Sequence, residues 1–136
     1  MIQPPDLKWP RRILWGLAGG LWFLWIAYED RGLGAVTTVS AVIAAAGGLT
    51  LLDRLRPSGP LTRKDWVVRL SATGLLAGAA IGPLDALMVL VKVSLHVHPQ
   101  SDFTAAQVLQ AVSRTWISAG VGSAIGAVAG FATRRV

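Results

Sequence analysis

The sequence predicts an all-α, polytopic membrane protein: four transmembrane helices in antiparallel hairpins, forming a single domain over residues 1–136. Three observations lead there. Hydrophobic residues make up 53% of the chain and charged ones 15%, against about 25% charged in ordinary soluble domains. The apolar residues are gathered into runs approaching or exceeding the ~20 residues that cross a hydrocarbon core. Basic residues collect beside alternate ends of those runs, the pattern that fixes orientation in a membrane.

The first span covers residues 13–28. It is short for a core about 30 Å thick, but Arg11 and Arg12 can snorkel at one end while Trp25 and Tyr28 sit at the headgroups. Its tryptophans, and the Tyr28-Glu29-Asp30 that stands where a small-residue cleavage site would fall, mark a retained helix rather than a signal peptide. The second span, residues 33–52, is rich in Ala, Val and Gly. The third covers residues 67–96 and the fourth 111–133, with Asp102 a candidate cap ahead of the fourth. In lipid such runs must be helical, because every backbone polar group needs an internal partner. The roughly ten-residue alternation of a transmembrane barrel is absent.

Charge sets the expected topology. Lys8, Arg11 and Arg12 precede span one; Arg54, Arg56, Arg63 and Lys64 lie in a basic loop over residues 53–65, with Arg69 just beyond; Arg134 and Arg135 close the chain. The other two loops hold Arg31 among Glu29, Asp30 and Asp102. Both termini and the middle loop are therefore expected in the cytoplasm, in a prokaryotic-type inner membrane. The net charge of +6 is read as a response to anionic headgroups, not to nucleic acid. Membrane lipids, other membrane subunits or further copies of the chain are the expected partners. Trp9 and Trp66 are expected at the inner interface and Trp116 near the outer one, with Trp15 and Trp22 deeper, packing on another helix or walling a cofactor.

Two glycine triplets recur at four-residue spacing: Gly74, Gly78 and Gly82 in span three, and Gly122, Gly126 and Gly130 in span four. Each lies on one helix face, where small residues let backbones approach in lipid. A hairpin turning near residue 101 would place Gly126 opposite position 76, a glycine zipper in the cytoplasmic half. Gly16 and Gly20 of span one offer a competing partner.

The polar residues within spans are the candidate site. Asp85 lies mid-span, just after Gly82-Pro83, where the missing proline N–H is expected to kink or open the helix. An intramembrane carboxylate is costly and is a functional candidate by default. Arg114 of span four is the expected ion-pair partner. Asp85, Lys92 and His96 fall on one polar stripe; Lys92 is read as snorkelling outward, or as lining a lumen or a partner. His96 and His98 would face one way only on an extended backbone, so metal or haem ligation there is the weaker alternative to an interfacial loop.

No cofactor is implied by motif. Cysteine is absent, which removes disulfides, thiol nucleophiles and iron–sulfur ligation. No phosphate loop, H-E-x-x-H or G-x-S-x-G occurs, which argues against an enzyme. Small multidrug-resistance transporters are similar in length and span number, but their glutamate in the first helix has no counterpart here. Fluoride channels are similar in size, but rely on asparagine motifs, and this chain has no Asn. The expectation is a non-catalytic accessory or structural subunit of a larger membrane complex, respiratory, photosynthetic or transport. A small homo-oligomeric transporter with a polar path through Asp85, Lys92, His96 and Arg114 is the alternative, and a metal- or haem-handling protein the next.

Overall fold

The computed structural model describes residues 5–27, 32–57, 59–95 and 103–133. They form five helices: α1 (Lys8–Ala27), α2 (Leu33–Arg54), α3 (Arg63–Leu95), α4 (Ala105–Ser113) and α5 (Thr115–Ala132). There is no β-sheet among the described residues. Three helical stretches are long and apolar enough to cross a membrane: α2, α3, and α4 with α5 taken together. Helix α1 is not among them; it is 20 residues long and its first turns carry Lys8, Arg11 and Arg12.

The longest element, α3, has 33 residues, about 50 Å at 1.5 Å per residue. That exceeds a ~30 Å hydrocarbon core, so a perpendicular α3 would project beyond it. α3 is also the centre of the fold. It packs most extensively on α5, then on α2, and α1 packs mainly on α2. The helix stays continuous through Pro83, although Pro83 has no N–H for the carbonyl of Ala79.

The fourth helical stretch begins earlier than expected. Thr104 caps α4: its side chain accepts from the Gln107 N–H at 3.3 Å, and the Thr104 N–H donates to Gln107 Oε1 at 2.7 Å. This reciprocal box satisfies two backbone donors before the strongly apolar residues are reached. Asp102, the expected cap, lies outside the described residues. The stretch is interrupted at Arg114, whose carbonyl still accepts from the Ser118 N–H at 2.9 Å.

The pairing of α3 with α5 is backbone against backbone. A Cβ at Gly74 would run into the carbonyl of Gly122, one at Gly78 into that of Ser118, and one at Gly126 into that of Leu70. Gly130 lies against Val67, and Gly82 against the Thr115 hydroxyl. The register differs from the expectation: Gly126 sits at Leu70, not at position 76. It is set by where small residues let the carbonyls approach, and not by the midpoint of the connecting loop. Gly16 and Gly20 on α1 have no neighbour within 4 Å of where a Cβ would be.

Side chains bind the helices at one end of the bundle. Arg11 of α1 pairs with Asp53 of α2. Trp66 of α3 is buried and its indole N–H donates to Thr133, just after α5, at 3.0 Å. Arg63 donates to the Phe131 carbonyl and stands over its ring. Towards the other end, Trp25, Val36, Val39, Met88, Val89 and Phe103 form the main apolar core.

Candidate functional site

The site is a buried stripe on α3. Asp85, Met88, Val89 and Lys92 follow each other at helical spacing and all are buried. They meet Val36, Thr37, Val39 and Ser40 of α2 and Trp25 of α1, which places polar groups inside an otherwise apolar core.

Asp85 is 2% exposed. Its Oδ2 accepts a hydrogen bond from Thr37 Oγ1 at 2.8 Å. Its Oδ1 is buried with no hydrogen-bond partner among the described residues. Other threonines of α2 turn back on their own helix: Thr38 donates to the Gly34 carbonyl at 2.9 Å and Thr50 to the Ala46 carbonyl at 2.7 Å. Thr37 instead reaches across to α3, because a buried carboxylate is a stronger acceptor than a carbonyl already in a helix ladder. One turn further along, Ser40 is fully buried and donates to Met88 Sδ at 3.4 Å.

Lys92 does not snorkel. It is 1% exposed, its Nζ donates to the Trp25 carbonyl at 3.4 Å, and it stands 4.6 Å from the centre of the Trp25 ring. A desolvated ammonium over an indole face gains about 2 kcal/mol or more. Trp25, expected at the headgroups, is therefore buried as the wall of the lysine site, with its own indole N–H unpartnered among the described residues. Asp85 and Lys92 are about 10 Å apart along the helix axis. They form no ion pair with each other: Asp85 is engaged by α2 and Lys92 by α1.

The expected ion pair between Asp85 and Arg114 is not formed. Arg114 is exposed, at the break between α4 and α5. Asp85 is turned towards α2, where Thr37 engages it, and not towards Arg114. His96 and His98 lie outside the described residues. Among the tryptophans, Trp9 is 73% and Trp116 84% exposed, while Trp15 donates to Thr50 Oγ1 at 3.0 Å and Trp22 is 44% exposed.

Thr37, Ser40 and Trp25 were not anticipated as site residues. A signal for the first two existed. Folding spans two and three about the turn between Pro57 and Pro60 brings Asp85 to the start of span two, where Thr37, Thr38 and Ser40 supply hydroxyls.

No family model, no curated protein and no solved structure matches this chain. Its class follows from geometry alone: a helical protein with three stretches able to cross a membrane, built round a stripe of buried polar side chains.

Proposed function

We propose that the chain is a four-span protein of a prokaryotic-type inner membrane, with both termini cytoplasmic, serving as a non-catalytic accessory or structural subunit of a larger membrane complex. The observation that carries this reading is the enclosure of Asp85 and Lys92. Each is buried and engaged by the chain's own groups, Thr37 and Trp25, so both act as polar pins between helices. Intramembrane polar contacts of this kind stabilise helix association by roughly 0.6–2 kcal/mol each. The helices also keep much apolar surface facing outward: no more than 33% of any apolar window is buried. Trp116, Ile117, Ile125 and Val128 along α5 are all exposed. That surface suits lipid and neighbouring subunits. With its basic turns at the same end as the α2–α3 connection, α1 supplies the fourth span, and the two glycine triplets act as the zipper joining spans three and four.

A homo-oligomeric transporter is the second reading, favoured by the Oδ1 of Asp85, which is buried without a partner among the described residues. The two are separated by Asp85→Ala in proteoliposomes carrying a pH-sensitive dye. The accessory reading predicts no change in proton flux and a lower yield of folded protein. Normal yield with flux abolished would favour the transporter.

A further inference from the structure

The end of the bundle at which α2 stops and α3 starts is strongly electropositive. Lys8, Arg11, Arg12, Arg54, Arg56, Arg63, Lys64 and Arg69 lie in its helix ends and connection, against only Asp6, Asp53 and Asp65. Arg11 pairs with Asp53, and Arg63 donates to the Phe131 carbonyl. Two others border a shallow cleft whose floor is apolar: Arg56 and Arg69 stand beside Leu7, Leu52, Leu55 and Trp66. Arg69 is oriented by donating to the Leu55 carbonyl at 3.1 Å. The cleft encloses only about 10 Å³, room for at most one water. A ligand would therefore lie across it.

Its depth fits the same picture. The cleft lies where the apolar stretch of α2 gives way to Arg54 and where α3 is in its first turns, the level at which headgroups meet helix ends. Two guanidiniums match a phosphodiester in charge and geometry, because guanidinium binds phosphate oxygens in a planar fork. Leu55, which is exposed, and the half-buried Leu7 match the glycerol and the first acyl carbons. A free anion has no use for that apolar floor.

We propose that this cleft is a binding site for one anionic glycerophospholipid, its phosphate held by Arg56 and Arg69. The site rests on the reading that these helices span a membrane. The test is native mass spectrometry of delipidated protein in a non-ionic detergent. It is titrated with short-chain phosphatidylglycerol, with phosphatidylcholine of equal chain length, and with inorganic phosphate. Retention of phosphatidylglycerol over phosphatidylcholine is expected. Arg56→Gln and Arg69→Gln should each weaken it about fivefold. Arg12→Gln and Lys64→Gln, which do not border the cleft, should leave it unchanged. Arg56 lies outside any helix, so its variant tests the site even where Arg69→Gln disturbs the fold, and Arg69→Lys keeps the charge. Equal retention of the two lipids overturns the proposal, as do equal losses at Arg12 and Arg56, which would show diffuse attraction. Competition by phosphate at comparable concentration overturns it in favour of a free-anion site. Protein that stays in solution without detergent would sink the membrane reading itself. Protein that needs detergent but lacks lipid preference would sink this site alone.

Discussion

Thr37 is the residue that ties Asp85 to α2. Its hydroxyl is the donor to the carboxylate, and the other oxygen has no partner among the described residues. Thr37→Val keeps the shape and removes the donor. It is expected to lower stability by about 1–3 kcal/mol, the cost of leaving a buried acceptor unsatisfied. Thr37→Ser should stay near the parent. Thermal unfolding in detergent, followed by helical circular dichroism, checks both; equal midpoints for the three proteins would show that the bond contributes nothing. At this scale the sequence was legible in part. Asp85 stood out because acids are rare inside apolar spans. Its partner is Thr37 and not the expected Arg114, which matches it in charge; charge says nothing about which face of a helix is turned inward. Lys92 departs from the snorkelling expectation for a related reason. Snorkelling assumes that the nearest water is the best partner, whereas the indole face and backbone carbonyl of Trp25 offer it a buried one.

Between elements, the closest approach is that of α3 to α5, and it sets a contrast among glycines. Gly78 faces the Ser118 carbonyl with no room for a methyl group, while Gly20 on α1 faces open space. Gly78→Ala should push the two helices apart and cost roughly 1–3 kcal/mol, as overpacking does. Gly20→Ala should be neutral, or stabilising by up to about 1 kcal/mol through helix propensity. Unfolding midpoints measured side by side distinguish the sites, and equal effects would mean that α3 and α5 do not meet as described. The start of α3 was not legible from hydropathy: the helix begins at Arg63, ahead of the expected residue 67, with a first turn that carries Lys64 and Asp65. Nor was the start of α4, since Gln107 and Gln110 dilute the apolar signal there. The readable sign was the Thr104-x-x-Gln107 box, a local rule independent of hydropathy. The four-residue glycine spacing was also readable, but its register was not, because period fixes a face and leaves the sliding of one helix along another undetermined.

For the whole molecule, the cationic residues of α1, α2 and α3 other than Lys92 converge on one end, and Arg11–Asp53 and Trp66–Thr133 hold that end together. Sequence alone supplied the alternation of basic loops with loops poor in basic residues. It did not supply the enclosed stripe, which depends on three helices meeting. The proposed topology predicts that a single cysteine at Gly59 reacts from the cytoplasmic face and one at Ala106 from the opposite face. The chain has no native cysteine to confuse the labelling. Reaction of both from the same side would contradict it. The central claim, that the bundle is a subunit serving assembly, is tested most directly by mild-detergent extraction from its native membrane followed by native mass analysis. The account predicts the chain in fixed stoichiometry with different membrane proteins. A chain recovered only alone or with copies of itself would contradict it.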